Sequence, residues 1–395
     1  MNIKLPKNVE YILDALEARG YRADIVGGSV RDAILGREIG DYDITTSALP
    51  TETCEVFKGH RIIETGLKHG TVSLLLDGTA YEITTYRTDG EYLDNRHPEE
   101  VRFVKDIKED LARRDFTVNA LAYSERYGLT DLFCGQADLN KRIIRAVGDP
   151  CQRFDEDALR ILRALRFASV LDFEIEERTA KAAKDKRELL KNVSKERIFT
   201  ELTKLLTGKG AHRILRDFED ILVCVLPGIE KITLPKREAF EAADGETRLL
   251  SLYALATDNC SMDFYNAMAE LKTDKHRREV GKKALKAFLN ISELDERRAA
   301  LLLKEYGDEA SLLAAKLGIM LRNLSEKSLA CLDFVLRGGL PYRISDLNIK
   351  GDDVKSLGFK DAAIGKALDT LLIAVINGEC QNSVKALLNY LANSD

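Results

Sequence analysis

The chain has 395 residues, 45% of them hydrophobic and 32% charged, a composition typical of an ordinary globular protein with roughly two to four units. Its net charge of −5 argues against a protein that coats nucleic acid, so any RNA contact must use local basic patches. No apolar run is long enough to span a membrane, no signal peptide is evident, and scattered cysteines without C-x-x-C spacing favour a cytoplasmic protein without zinc.

The first forty residues predict a helix, a strand and a second helix. Apolar residues at helical spacing predict the first helix over 8–20. The segment 24–26 predicts the end of a strand, and 30–35 the first turns of the next helix. Between them, Gly27 and Gly28 allow a sharp turn at a helix N-terminus, where free backbone N–H groups favour a phosphate.

Two carboxylates follow this turn. Asp41 and Asp43 are two residues apart, so on a strand they point to the same face, with Tyr42 on the other. A site that keeps two adjacent carboxylates ionised typically holds a divalent cation, and oxygen ligands beside a phosphate favour magnesium. A glycine turn followed by this Asp-x-Asp pair resembles the signature of the polymerase-β-type nucleotidyltransferases.

A β-hairpin and a charged segment come next. The runs 71–76 and 80–88 predict two strands joined by a tight turn. Glu82 on the second strand is either a third carboxylate beside the metal or a solvated side chain. The polar, turn-rich segment 88–102 predicts a mobile loop between strands.

A pair of arginines opens the next motif. Arg113 and Arg114 precede Asp115, and Asn119 follows Asp115 at i+4 on the predicted start of a helix. These side chains suit a triphosphate together with a sugar hydroxyl. The alternative is a capped surface helix with a structural ion pair.

Beyond residue 155 the signals for strands nearly vanish. The segment 155–168 predicts one helix, on which Asp157, Arg160, Arg163 and Arg166 recur at i+3 steps. Three arginines on one narrow stripe repel one another unless an anion lies across them. The stripe therefore predicts an anion-binding site.

Two basic clusters lie in the helical half, at 181–197 and 272–286. Such clusters are solvated helix faces or contacts to a phosphate backbone, and their place in an acidic chain makes them candidates for RNA contacts. The last segment, from 341, contains no residue with a catalytic pattern.

The ordered set of motifs closely resembles the class II tRNA nucleotidyltransferases, which include CCA-adding enzymes and bacterial poly(A) polymerases. The matching stretches are GGSVRD (27–32), DYD (41–43), RRDFTVNA (113–120), EDALRILRALRFA (156–168) and VSKERI (193–198). The resemblance implies an α+β fold, in which a polymerase-β-type head with a small mixed sheet precedes an all-helical neck, body and tail. The implied domains are a catalytic head (1–150), a neck with the nucleotide-recognition helix (151–215), a tRNA-binding body (216–340) and a tail (341–395).

The same resemblance implies template-independent addition of C, C and A to the 3′ end of tRNA. CTP and ATP are the substrates, pyrophosphate is released, Mg²⁺ is the cofactor, and no obligatory protein partner is implied. Asp41 and Asp43 are then the catalytic metal ligands. The implied nucleotide-binding residues are Gly28, Arg31, Arg114, Asp157, Arg160, Arg163 and Arg166, with Asp115 and Asn119 as candidate ribose contacts and Glu82 as a candidate third carboxylate.

The residue types also provide a reason for selecting bases without a template. Arginine only donates hydrogen bonds and ionised aspartate only accepts them. Arg160 and Asp157 side by side complement cytosine and adenine, each of which has a ring acceptor beside an amino donor. Uracil and guanine reverse this pattern and leave buried groups unpaired, at about 1–3 kcal/mol each.

Several related functions remain open at this stage. The charged 88–102 segment is associated in the family with addition of the terminal A, which disfavours a CC-only enzyme. The lack of a long basic extension disfavours a poly(A) polymerase, whereas an A-adding enzyme has nearly the same motifs. A non-catalytic RNA-binding protein would have lost the paired aspartates, and a small-molecule nucleotidyltransferase does not need a long basic helical half.

Overall fold

The computed structural model describes residues 3–63, 66–89, 101–322 and 324–393. By its internal contacts the chain divides into two compact units, Met1–Val225 and Leu226–Asp395. The finer division into head, neck, body and tail stays a prediction. Most of the predicted 88–102 loop, residues 90–100, lies outside the described residues. Within the described ranges, no helix is both long and apolar enough to cross a membrane.

The strands all lie in the first unit. They are β1 (Ala23–Val26), β2 (Ile44–Thr46), β3 (Arg61–Ile63), β4 (Thr71–Leu76), β5 (Thr79–Thr85), β6 (Arg87–Asp89), β7 (Val101–Phe103), β8 (Leu121–Ser124), β9 (Gly128–Asp131), β10 (Ile143–Ile144) and β11 (Glu174–Ile175). Seven of them form one sheet in the order β3-β4-β5-β2-β1-β8-β9, and β6–β7 and β10–β11 form two small pairs.

The large sheet is mixed, as predicted. Strands β2 and β5 run parallel and its other neighbours run antiparallel. In the interior strand β1, Ile25 pairs with Ile44 of β2 on one side and Tyr123 of β8 on the other. All four residues of β1 are buried. This strand, paired on both sides, therefore holds the turn that follows it in a rigid position.

Helices cover the sheet and then continue alone to the end of the first unit. They are α1 (Lys7–Glu17), α2 (Gly28–Ile34), α3 (Pro50–Val56), α4 (Ile107–Ala112), α5 (Gly135–Lys141), α6 (Pro150–Glu156), α7 (Leu159–Leu171), α8 (Glu177–Asp185), α9 (Lys195–Leu206), α10 (Ala211–Asp217) and α11 (Glu219–Leu222). The apolar residues that predicted the first helix, including Ile12 and Leu16, are buried on one face of α1.

The second unit is helical throughout its described residues. Its helices are α12 (Arg237–Ala242), α13 (Gly245–Ala256), α14 (Cys260–Glu270), α15 (Lys275–Asn290), α16 (Glu296–Tyr306), α17 (Asp308–Arg322), α18 (Lys327–Leu336), α19 (Gly351–Lys355), α20 (Ala362–Asn377) and α21 (Val384–Ala392). The basic cluster at 272–286 lies mostly on α15, where Arg277 pairs with Glu246 at 2.6 Å.

The single helix predicted over 155–168 is wrong, because the chain breaks at Asp157. Helix α6 ends before this residue and α7 begins two residues after it; the backbone between them is extended at Asp157, with φ −140° and ψ 103°. The Asp157 carboxylate accepts a hydrogen bond from the Leu159 N–H at 3.0 Å. An aspartate in this position satisfies an otherwise free N–H at a helix start, which favours a new helix over continuation.

Candidate active site

The glycine turn lies between β1 and α2, as predicted. Gly27 has φ 74° and ψ −124°, a conformation that side chains with a Cβ rarely adopt. Its N–H donates to the Leu121 carbonyl at 3.0 Å, which ties the turn to β8. A Cβ at Gly27 would lie 3.1 Å from Nη1 of Arg114. The turn therefore brings the Arg114 guanidinium close to the backbone at the start of α2.

The two aspartates lie immediately before β2 rather than on it. The prediction that Asp41 and Asp43 alternate along a strand is wrong, because β2 begins at Ile44. Asp43 is still tied to the sheet, since its carbonyl accepts the Val26 N–H at 2.9 Å. This hydrogen bond places Asp43 next to the residue that precedes the glycine turn.

Both aspartate side chains are exposed to solvent, but they are not electrostatically independent. Partial loss of hydration raises the pKa of Asp43; the Arg114 guanidinium opposes this rise, and the Asp41 carboxylate adds to it. A divalent cation would relieve this repulsion, so the pair fits a metal ion. Among the described residues, no group of three or more His, Cys, Asp or Glu side chains is arranged to hold one. The pair would thus supply part of a ligand shell that substrate and water complete.

Glu82 lies on β5, the strand next to β2. Ile83 of β5 pairs with Ile44 of β2 in parallel register. Glu82 and Asp43 are the residues immediately before this pair on their two chain segments. The Glu82 side chain is exposed. Since the described residues contain no three-carboxylate cluster, its role as a third ligand stays a prediction.

At the end of α4, two arginines donate hydrogen bonds to the buried carboxylate of Asp110. Asp110 is fully buried. Its Oδ1 accepts hydrogen bonds from Arg113 Nε at 3.0 Å and Nη2 at 2.8 Å, and its Oδ2 accepts one from Arg114 Nη2 at 3.2 Å. Burial alone would raise the pKa of Asp110, but Arg114 and Arg113 lower it below its ordinary value. Asp110, which was absent from the sequence prediction, therefore anchors the guanidinium that faces the glycine turn.

The predicted helix start at Asp115 is wrong; the chain forms a short 3-10 turn over Thr117–Asn119. Asp115 and Asn119 nevertheless meet, because Nδ2 of Asn119 donates to Oδ1 of Asp115 at 3.1 Å. The Asn119 Oδ1 in turn accepts a hydrogen bond from Arg31 Nη1 at 2.7 Å. A continuous chain of hydrogen bonds thus joins Arg31 of α2 to Asp115.

Asp115 extends this chain to the next helix through Arg163, whose Nε donates to Oδ2 at 2.8 Å. Burial alone would raise the pKa of Asp115, but Arg163, the Asn119 amide and the Phe116 N–H together lower it to about 2. Asp115 and Asn119 are only 8% and 6% exposed, and their side-chain polar atoms form hydrogen bonds with other residues of this chain. Their assignment as ribose contacts stays a prediction.

The arginines of α7 each have a protein carboxylate for a partner. Arg160 pairs with Glu156 at 2.6 Å. Arg166 pairs with Glu201 of α9 at 3.0 Å. Together with the Arg163–Asp115 pair, these contacts reduce the repulsion along the stripe without any external anion.

Asp157 and Arg160 lie on either side of the helix start. The Asp157 carboxylate pairs with Arg197 of α9 at 2.8 Å. The Arg160 guanidinium also donates to the Arg113 carbonyl at 3.0 Å and the Arg153 carbonyl at 3.2 Å. Ion pairs and hydrogen bonds with several residues therefore fix the positions of the Asp157 and Arg160 side chains.

An aromatic ring links three of the arginines. The guanidinium carbons of Arg31, Arg163 and Arg166 lie 5.3, 5.4 and 4.0 Å from the centroid of the Phe167 ring, within the range of cation–π attraction. Phe167, Glu201 and Arg197 were not assigned individually from the sequence. Arg197 lies inside the 193–198 motif and the basic cluster at 181–197, and Glu201 follows it four residues later on α9.

Comparisons with known proteins show the family of this chain. The family models for the poly A polymerase head domain and for a probable RNA- and SrmB-binding site of polymerase A match residues 23–145 and 172–231. A CCA-adding enzyme of Bacillus licheniformis is 38% identical over 398 residues, which cover 96% of each chain.

Solved structures of CCA-adding enzymes are similar to this chain over nearly its whole length. The CCA-adding enzyme of Bacillus stearothermophilus in complex with CTP has a TM-score of 0.81 and 32% identity over 97% of this chain and 96% of its own. The CCA-adding enzyme of Thermotoga maritima, complexed with tRNA, has a TM-score of 0.69 and 22% identity over 99% and 97%, a likeness that shows the fold.

Proposed function

We propose that this chain, which belongs to the family of CCA-adding enzymes, adds C, C and A to the 3′ end of tRNA from CTP and ATP and releases pyrophosphate. The observation that carries the proposal is the position of Asp43 beside the glycine turn. The Val26 N–H binds the Asp43 carbonyl at 2.9 Å, and the Arg114 guanidinium faces both the turn and the carboxylate. The seven cysteines are all free thiols, which supports a reducing compartment such as the cytoplasm.

The family uses a divalent metal, and we propose Mg²⁺ held by Asp41 and Asp43. Carboxylate oxygens beside substrate phosphates are the ligands that Mg²⁺ prefers. When bound, the metal supplies charge neutralisation at the phosphates and lowers the pKa of the attacking hydroxyl. The repulsion between the two carboxylates, which contributes to the raised pKa of Asp43, supports this assignment.

The reaction forms one P–O bond and breaks another. The 3′-oxygen of the RNA attacks the α-phosphorus of the nucleotide, and the bond from that phosphorus to the pyrophosphate breaks in line with it. The backbone at Gly28 and the guanidiniums of Arg31 and Arg114 hold the phosphates. Asp110 and Asn119 keep these two arginines in place through the hydrogen bonds described above.

Base choice is assigned to Asp157 and Arg160. Their side chains stand at the break between α6 and α7, supported by Arg197 and Glu156 respectively. One acceptor and one donor match the exposed edges of C and A and mismatch those of U and G. Arg163 and Arg166, one and two turns further along α7, hold the sugar and phosphates.

The test is product analysis with defined acceptors. The protein is incubated with tRNAs ending at the discriminator base, at –C or at –CC, with each nucleotide separately and in pairs. The expected products are two C residues from CTP alone and one A on the –CC acceptor from ATP. A-addition alone would identify an A-adding enzyme, and long A tails would identify a poly(A) polymerase.

A further inference from the structure

A cavity of about 260 Å³ opens between α2 and helices α7 and α9, beside the proposed nucleotide site, two of whose residues, Arg31 and Arg166, form its inner wall. We call it the α2–α7 cleft. Its charged lining residues are Arg31, Asp32, Arg37, Arg166 and Lys204. Four cations and one carboxylate thus surround a small space in a chain whose net charge is −5. Such a concentration of one charge favours an anionic occupant.

The inner cations of the cleft are already compensated. Arg31 pairs with Asp32 at 2.8 Å and Arg166 with Glu201 at 3.0 Å, and the two arginine side chains are only 11% and 13% exposed. Burial lowers the pKa of Arg166; the Glu201 and Asp115 carboxylates oppose this, and repulsion from Arg163 and Arg31 adds to it. The charges of the inner wall are thus largely balanced, and the unbalanced charge of the cleft lies at its rim.

The rim cations are not compensated. Arg37 and Lys204 are exposed, and neither side chain has an ion pair or hydrogen bond in the described part of the chain. Most other basic side chains of α7 and α9 that face the active site, including Arg163 and Arg197, have a carboxylate partner. Two unpaired cations at the mouth of a cleft whose inner cations are compensated favour an anion at this entrance.

The rim of the cleft, unlike its inner wall, lies away from the incoming nucleotide. The nucleotide phosphates must lie at the glycine turn beside Asp43, at the start of α2. Arg37 lies beyond the other end of α2, a helix of seven residues, and thus about 10 Å along the helix axis from the turn at 1.5 Å per residue. The volume is below the about 300 Å³ at which ordinary ligand pockets begin, so it suits one sugar–phosphate unit rather than a duplex.

We propose that the α2–α7 cleft binds a phosphodiester of the single-stranded 3′ end of the RNA acceptor, with Arg37 and Lys204 as its phosphate contacts. This inference rests on the proposed function, since it requires that an RNA 3′ end reach the aspartates. The contacts read no base, because they go to the backbone. They hold the last unpaired nucleotides in line while the terminal hydroxyl faces the nucleotide.

The test variant is Arg37→Gln combined with Lys204→Gln, and the control is Lys209→Gln, an exposed lysine outside the cleft. Equilibrium binding is measured without nucleotide on two RNAs: tRNA ending in –CC, and the same tRNA cut back to its last base pair. For the –CC tRNA the double variant should bind about three- to tenfold more weakly, with a log–log salt slope shallower by about 0.7 per lost single-strand contact. The double variant should bind the cut-back tRNA as tightly as the wild type does. The Lys209→Gln control should bind both RNAs as tightly as the wild type does.

Steady-state kinetics supply the second readout. The KM for the –CC tRNA should rise in the double variant, with the KM for ATP changed by less than about twofold. Equal weakening on both RNAs, a rise in the KM for ATP alone, or no change would each overturn the proposal. Because the binding measurement needs no catalysis, a wild-type protein that binds in this 3′-dependent way but adds no nucleotide would contradict the proposed function and leave the cleft assignment standing.

Discussion

The buried carboxylate of Asp115 forms an ion pair with the partly exposed guanidinium of Arg163, with Oδ2 at 2.5 Å from Nη2 and 2.8 Å from Nε. Asp115 lies between α4 and the following 3-10 turn, whereas Arg163 lies on α7. Through Asn119, the same carboxylate is linked to Arg31. The pair thus joins Arg31 of α2 to the arginine-bearing helix α7.

We expect Asp115→Asn to lower the free energy of unfolding of the first unit in a pH-dependent way. The pKa of Asp115 falls from about 3.9 unfolded to about 2 folded, so its stabilising contribution is full above the unfolded value and is lost as pH falls through the folded value. This shift corresponds to about 2–3 kcal/mol. Denaturant unfolding at pH 7 and at steps down to pH 2 should show the wild-type advantage shrinking below about pH 4.

The control for this experiment is Asp185→Asn, which removes an exposed partner of Lys181. Exposed pairs contribute about 0–1 kcal/mol, so this variant should track the wild type at every pH. A deficit in Asp115→Asn that stays constant from pH 6 to pH 2 would contradict the ionic account.

Asp110→Asn should act through Arg114. The fully buried carboxylate holds Arg114 against the glycine turn, and without its charge the guanidinium loses its anchor. We expect the KM for CTP and ATP to rise about tenfold, with no further rise when Asp110→Asn is added to Arg114→Ala. Asp106→Asn, at the N-cap of the same helix, should leave KM unchanged. Additive effects of Asp110→Asn and Arg114→Ala in this double-mutant cycle would show that Asp110 acts elsewhere.

Arg160→Ala should lose discrimination against UTP and GTP and not merely slow the reaction. Removing the donor leaves the acceptor of C or A unpaired and removes the mismatch that rejects U and G. A charge-assisted hydrogen bond contributes about 1.5–3 kcal/mol, or tenfold to more than a hundredfold in relative kcat/KM. Four-nucleotide competition on one tRNA acceptor measures this directly.

The matched variants for base choice are Arg163→Ala and Arg166→Ala. Because these two arginines are proposed to hold the sugar and phosphates and not the base, their alanine variants should raise KM for CTP and ATP alike without admitting UTP. If Arg160→Ala slows addition with its preference for C over U intact, base choice is made elsewhere.

Shortening the charged segment between Asp89 and Glu100 should spare addition of the two C residues and impair addition of A. The reason is the polar, turn-rich sequence of this segment, which adjoins the nucleotide-binding half in the chain, together with the role in A addition that the family resemblance implies for it. C and A incorporation on tRNAs ending at the discriminator base and at –CC separates the two steps. Equal loss of both would identify a structural segment.

Much of the fold follows from local patterns. Two β-rich runs around a tight turn predicted the hairpin of β4 and β5, and the glycines predicted the turn between β1 and α2. The single strand predicted over 80–88 is wrong, because β5 ends at Thr85 and β6, which begins at Arg87, belongs to another sheet. The break at Asp157 was missed because helical periodicity continues across it, whereas capping by its carboxylate decides the backbone there.

The supporting partners of the site were harder to predict. Asp110 and Glu201 each look like an ordinary charge on an amphipathic helix, and only the tertiary fold turns them inward onto arginines. Similarly, Asp115 and Asn119 meet through a 3-10 turn and not through the predicted helix. Pairings between distant elements leave no periodic signal in the chain.

The most direct test of the account is nucleotide addition by Asp41→Ala and Asp43→Ala, measured beside tRNA binding by the same preparations. The account predicts that both variants lose addition of C and A in Mg²⁺ by at least about a thousandfold, while tRNA affinity stays within about twofold, because affinity comes from basic residues elsewhere. Near-normal turnover in Mg²⁺ by either variant would contradict the assignment of this pair as the catalytic metal ligands.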